Sequence, residues 1–216
     1  MLATDPGSDL VVAFCGLRAG PKTLIGVIWP TEPGLKPFID ETWVFDGSMW
    51  EKRVPQLRPP ARNFATMAPH PRGSGVVLFG GQGDRRLGVD DRRLDDTWVF
   101  DGKDWEEVRT PTAPSPRTQP ALTYDPIVGC CVLFGGTGHL DDGKLVDFTD
   151  TWVFDGKDWV RLPTESGPSP RCAVMMTFDE MSGQVVLFGG RERPWSSPPL
   201  NDTWILNIEK ESNPTP

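Results

Sequence analysis

Three arginines in this chain are spaced as if to repeat one task. Arg62, Arg117 and Arg171 each follow a proline by one or two positions and stand 55 and 54 residues apart. A guanidinium grips a carboxylate through two parallel hydrogen bonds, so three of them at one mouth could clamp an anionic sugar or acid. Asp96, Asp150 and Asp202 recur at 54 and 52 residues, however, and that shared period predicts one ion pair inside each repeat instead. The histidines offer less. His139 with Asp141 and Asp142 supplies imidazole and carboxylates, the usual ligand types of a metal site, yet three neighbours on one loop are expected to be solvated. No metal or other cofactor is expected. His70, between Pro69 and Pro71, is expected to be exposed and inert. Cys15, Cys130, Cys131 and Cys172 lack metal-ligand spacing. Cys130 and Cys131 adjoin in one predicted strand and so face opposite sides, which suits small buried thiols in a reducing compartment.

The elements that position these groups repeat with the same period. Thr-Trp-Val-Phe-Asp-Gly occurs at 42–47, 97–102 and 151–156, with a decayed copy at 203–206. Leu-Phe-Gly-Gly ends at Gly81, Gly136 and Gly190, and a further tryptophan stands at Trp50, Trp105 and Trp159. Several landmarks that hold one period identify a repeat array. Val76–Phe79, Cys130–Phe134 and Val185–Phe188 are short apolar runs closed by glycine, the pattern of strands buried on both faces. Asp-Gly then marks a tight hairpin that needs positive φ. Proline-rich connectors around residues 55–60, 111–116 and 163–170 must leave the sheet, because proline cannot continue a central ladder. No window shows sustained helical periodicity.

Four antiparallel strands per unit, a glycine doublet after the second, and paired tryptophans such as Trp98 with Trp105 and Trp152 with Trp159 resemble the kelch repeat, whose length is about 50 residues. The resemblance covers nearly the whole chain. It implies an all-β fold, a β-propeller of four-stranded antiparallel blades lettered a to d from the channel outward. The sequence departs from the family where Trp replaces a frequent Tyr. Blades are expected at about 1–55, 61–109, 116–162 and 170–208, with a polar tail at 209–216. The first lacks its Arg-led beginning and the last lacks a Trp-led strand d, so about four blade positions with incomplete ends are expected. Such ends imply either a four-bladed ring or part of a larger one, and open edges favour association of copies.

Within that family the enzymatic precedents do not transfer. Galactose oxidase holds copper through histidine and tyrosine pairs, whereas Tyr124 is the only tyrosine here. Plant specifier proteins hold iron through Glu, Asp and His four residues apart, and neither His70 nor His139 has an acidic residue four positions before it. No motif of the sialic-acid epimerases that use such propellers is matched.

The variable stretches are the b-to-c loops, at about 17–40, 82–95, 137–149 and 191–201. Variable loops on a rigid scaffold usually carry binding. The first holds Trp29. The second interleaves Arg85, Arg86, Arg92 and Arg93 with Asp84, Asp90, Asp91 and Asp95, the third holds His139, and the fourth holds Arg191, Arg193 and Trp195. Arginine and tryptophan are enriched at interface hot spots, although alternating Arg and Asp can also neutralise one another on a solvated loop. A charge of −8 and a pI near 4.8 argue against a nonspecific nucleic-acid binder, and no apolar run is long enough to span a membrane. The sequence therefore predicts a noncatalytic protein- or peptide-binding scaffold of the cytoplasm that uses its b-to-c loop face. A small-molecule enzyme built on the Arg-lined channel mouth is the alternative.

Overall fold

The computed structural model describes residues 1–17, 38–83, 93–164, 166–193 and 197–208. Trp29, Arg85, Arg86, Arg92 and Trp195 lie outside the described residues. Every regular element described is a β-strand. Blade 1 contains β1 (Leu2–Asp5), β2 (Leu10–Leu17), β3 (Phe38–Phe45) and β4 (Trp50–Arg53), hydrogen-bonded in that order. In blade 2, β5 (Arg62–Asn63) and β6 (Thr66–Pro69) both pair with β7 (Val76–Gly83), followed by β8 (Arg93–Phe100) and β9 (Trp105–Val108). Blade 3 opens with β10 (Arg117–Thr118) and continues through β11 (Ala121–Asp125), β12 (Cys130–Phe134), β13 (Thr137–His139), β14 (Leu145–Asp147), β15 (Thr151–Phe154) and β16 (Trp159–Leu162). Its main sheet is β11-β12-β15-β16, and β10-β13-β14 form a small second sheet. The stretch read from sequence as a variable loop at 137–149 is therefore in part an ordered hairpin. Blade 4 contains β17 (Met175–Asp179), β18 (Gln184–Phe188) and β19 (Thr203–Leu206), which leaves β19 as an edge among the described residues.

One register serves all four blades. The second strand pairs with the third so that Phe14 faces Thr42, Phe79 faces Thr97, Phe134 faces Thr151 and Phe188 faces Thr203. The Asp-Gly turns that join the third strand to the fourth are alike as well. In each, Gly47, Gly102 or Gly156 takes φ near +95°, and the carboxylate of Asp46, Asp101 or Asp155 accepts the backbone N–H groups two and three residues on. Those bonds, led by the one from Met49, lower the Asp46 pKa to about 2.

Blades are joined by their tryptophans. The indole N–H of Trp105 in β9 donates to Thr42 Oγ1 of blade 1, and that of Trp159 in β16 donates to Thr97 Oγ1 of blade 2, each at 2.9 Å. Each ring also sits between two phenylalanines, one from its own blade and one from the blade before. Trp105 lies 5.0 Å from Phe14 and 5.1 Å from Phe100, and Trp159 lies 5.1 Å from Phe79 and 4.9 Å from Phe154. The two tryptophans are fully buried, at 2% and 1% exposure; truncating such a residue typically costs about 3–5 kcal/mol. The innermost strands β1, β6, β11 and β17 pack side by side in chain order, and no comparable packing joins β17 to β1 among the described residues. The outer blades differ accordingly. Trp50 of blade 1 and Phe188 of blade 4 are 46% and 47% exposed, although their counterparts inside the array are buried.

Candidate functional site

The three arginines belong to the framework. Each begins its blade on the b-to-c loop face and reaches across to the third strand. Arg117 donates from Nη1 to Asp150 Oδ1 at 2.6 Å and from Nη2 to Oδ2 at 3.0 Å; Arg62 grips Asp96 and Arg171 grips Asp202 in the same way. The remaining donors serve backbone carbonyls. Nη1 also bonds Gly80, Gly135 or Gly189, and Nε bonds the carbonyl two residues before the arginine. Burial opposes ionisation of Asp150, yet the hydrogen bonds and charge of Arg117 prevail and hold its carboxyl below the usual value. Arg171, followed by the indole of Trp204, holds Asp202 well below the carboxylate range. The arginine side chains of the three pairs are 0%, 0% and 2% exposed, so none is placed to meet an anion arriving from solvent.

This geometry explains the Asp-Thr-Trp string. The tryptophan indole donates back to the aspartate two residues earlier, as Trp98 to Asp96, Trp152 to Asp150 and Trp204 to Asp202. The threonine between them takes the next blade's indole where one is present. The glycine doublet has a comparable reason. Gly135 takes φ of +66°, and a Cβ there would lie 2.5 Å from the carbonyl oxygen of Arg171 in the next blade. Only glycine combines that backbone with so close an approach.

The b-to-c elements of neighbouring blades meet on this face. Arg93 Nη1 in β8 lies 3.1 Å from His139 Nδ1 in β13, which ties blade 2 to blade 3. The backbone N–H of Arg193 donates to Asp147 Oδ2 of β14 at 2.9 Å, which ties blade 3 to blade 4. Arg93 and His139 are half-buried, and Arg191 and Arg193 are exposed. His139 is thus part of a strand, paired with Leu145, and not of a solvated loop with Asp141 and Asp142. Among the described residues no group of three or more His, Cys, Asp or Glu could hold a metal ion. Burial raises the pKa of the Cys130 and Cys131 thiols, that of Cys131 far more. His70 is half-buried rather than fully exposed, and burial followed by the charge of Arg72 lowers its pKa.

A further set of residues on this face escaped the sequence reading. Phe64, Gln119 and Ala173, each two positions after a framework arginine, all adopt φ of 53–56°. Gln119 N–H donates to Phe64 O at 2.7 Å and Ala173 N–H to Gln119 O at 3.1 Å, so a chain of main-chain bonds crosses from blade to blade. Non-glycine residues held in this region are strained and concentrate at ligand sites. Phe64 is 46% exposed, and Gln119, Cys172, Ala173 and Arg191 line a cavity of about 170 Å³. Their shared offset from the arginines was the available signal. It was hidden because the three residues differ in type.

Comparison with known proteins agrees with this architecture. The family model described as the KLHDC2/KLHL20/DRC7 Kelch-repeats domain matches residues 34–213. An F-box/kelch-repeat protein of Arabidopsis thaliana is 31% identical in an alignment that covers 64% of this chain and 29% of that protein. The match thus spans less than a third of that relative's length. The solved structure of YjhT superposes with a TM-score of 0.59 at 16% identity, covering 81% of this chain and 51% of that one, and speaks for the fold alone. Kelch-repeat proteins typically serve as protein-interaction scaffolds. With four antiparallel blades in chain order, buried arginines paired to aspartates beneath the glycine doublets and a family model spanning most of its length, the chain belongs to the kelch-repeat β-propeller family.

Proposed function

We propose that this propeller is a noncatalytic binding module that takes a protein or peptide on its b-to-c loop face, around the cavity bordered by Gln119, Ala173 and Arg191. The observation that carries the reading is the joining of loops from blades 2, 3 and 4 into one surface through Arg93 with His139 and Arg193 with Asp147. The residues whose types vary from blade to blade gather there, on a framework whose own cations are consumed. Arg191 and Arg193 place two exposed guanidinium groups on the rim of an otherwise acidic protein, which suits an acidic segment of a partner. The alternative of a channel enzyme loses its anion clamp, because the three arginines it needs are sealed in framework pairs. Selection of a displayed peptide library against the folded chain tests the proposal. Enriched peptides are expected to be acidic and to lose binding to the Arg191→Glu/Arg193→Glu variant, while Lys103→Glu/Lys157→Glu on the opposite, c-to-d hairpin face leaves binding intact. Loss with the second pair and not the first would overturn it.

A further inference from the structure

The groove between blades 3 and 4 repeats, position by position, the two sockets that hold Trp105 and Trp159. It is a cavity of about 180 Å³, somewhat larger than the ~150 Å³ apolar cavity known to admit benzene. On the blade 3 side its wall includes Phe134 and Thr151. The same register positions are Phe14 and Thr42 beside Trp105, and Phe79 and Thr97 beside Trp159. On the blade 4 side the wall includes Leu187, Trp204 and Leu206. Their counterparts by register are Leu78, Trp98 and Phe100 around Trp105, and Leu133, Trp152 and Phe154 around Trp159. In both filled sockets the indole comes from a strand paired to the outer edge of the third strand. The corresponding strand in blade 4, β19, is an edge among the described residues. Trp105 and Trp159 stand five residues after Phe100 and Phe154, and the same offset from Leu206 holds Glu211.

We propose that this groove is a binding site for an extended peptide segment of another protein carrying Trp-x-x-aliphatic, which adds to β19 as a fourth strand and seats its indole between Phe134 and Leu206 with its N–H on Thr151 Oγ1. The pattern is set by the two occupied sockets, where Trp105 precedes Val108 and Trp159 precedes Leu162 by three residues while the residues between them point to solvent. Strand addition provides main-chain hydrogen bonds along the edge, and the indole pocket provides selectivity. The site continues the blade-to-blade interface and is separate from the b-to-c loop face.

The probe is a synthetic nonapeptide, Gly-Lys-Asp-Trp-Val-Arg-Leu-Pro-Thr, copied from residues 156–164 and followed by calorimetric titration. One site per chain is expected. Replacing the peptide tryptophan by alanine should weaken binding about tenfold or more, as for a buried aromatic anchor. Thr151→Val, which keeps the shape and removes the acceptor, should weaken it about fivefold, the worth of one neutral hydrogen bond. Hydrogen exchange should show new protection of the β19 amides in the complex, a readout that does not depend on any variant folding. Equal binding of the alanine peptide, or protection confined to other strands, overturns the proposal. So does a concentration-dependent dimer whose β19 amides are already protected without peptide, since that would assign the groove to a second copy.

Discussion

Removing the Arg117 guanidinium should be among the most damaging single changes in this protein, and the expected size follows from its surroundings. Arg117 makes two bonds to Asp150 and one each to the carbonyls of Ser115 and Gly135, and it lies 4.1 Å over the ring of Phe148. In Arg117→Met the aliphatic stem is retained, but Asp150, whose side chain is only 12% exposed, keeps just the indole of Trp152 among these partners. Breaking one half of a buried pair costs about 3–5 kcal/mol, a large share of the roughly 5–15 kcal/mol that holds a domain together. Arg72→Met is the internal control. Its pair with Asp155 is 50% and 51% exposed, and pairs of that kind contribute about 0–1 kcal/mol. Urea unfolding followed by tryptophan fluorescence should place the Arg117→Met midpoint well below that of Arg72→Met at similar slope. Adding Asp150→Asn to Arg117→Met should cost less than the two single changes summed, by about 0.5–3 kcal/mol. Equal midpoints for Arg117→Met and Arg72→Met would refute the assignment of the arginine row to the framework and return it to consideration as a ligand clamp.

Three further outcomes are expected. Trp105→Ala should cost about 3–5 kcal/mol, whereas Thr42→Val, which removes only the acceptor of its indole, should cost about 1 kcal/mol; the same urea titration measures both. Gly135→Ala should cost at least about 1–3 kcal/mol from backbone strain alone, and more from the clash with Arg171 O, while Gly167→Ala, where an added Cβ meets nothing within 4 Å and φ is not positive, should be near neutral. Asp150, Asp202, Asp46, Asp101 and Asp155 all ionise more readily folded than unfolded, so they add stability above the unfolded carboxylate pKa of about 4 and surrender it as pH falls below that value. Thermal melts across acidic pH should show their steepest decline below about pH 4, and a main decline centred above about pH 5 would contradict this.

The parts of the molecule that could be read from sequence are those decided inside one repeat. The Asp-Gly turns and the pairing of Arg117 with Asp150 are each fixed by residues whose identity the local geometry demands, so they recur and the period exposes them. What could not be read is decided between repeats. The acceptor for Trp105 is Thr42, 63 residues earlier, and nothing in either residue's neighbourhood announces the other. From sequence His139 reads as part of a solvated loop, because its strand is stabilised by β10 and by Arg93 of the preceding blade. Phe64, Gln119 and Ala173 share a backbone conformation that their side chains do not advertise, since main-chain bonds across the blades impose it. The blade pattern places the most variable positions on one face, but which of them meet, as Arg93 does His139 and Arg193 does Asp147, required coordinates.

The tryptophan locks also give the array a direction in time. Blades 1 and 2 present their threonine acceptor and phenylalanine wall early, but the indole that seals each arrives 62 or 63 residues after the threonine, on the last strand of the following blade. At a synthesis rate of about 5–20 residues per second, a newly made blade waits roughly 3–13 seconds with an apolar face uncovered. The chain is thus sealed from its N-terminal end toward its C-terminal end, one blade behind the ribosome, and a nascent blade is most vulnerable to stray strands during that interval.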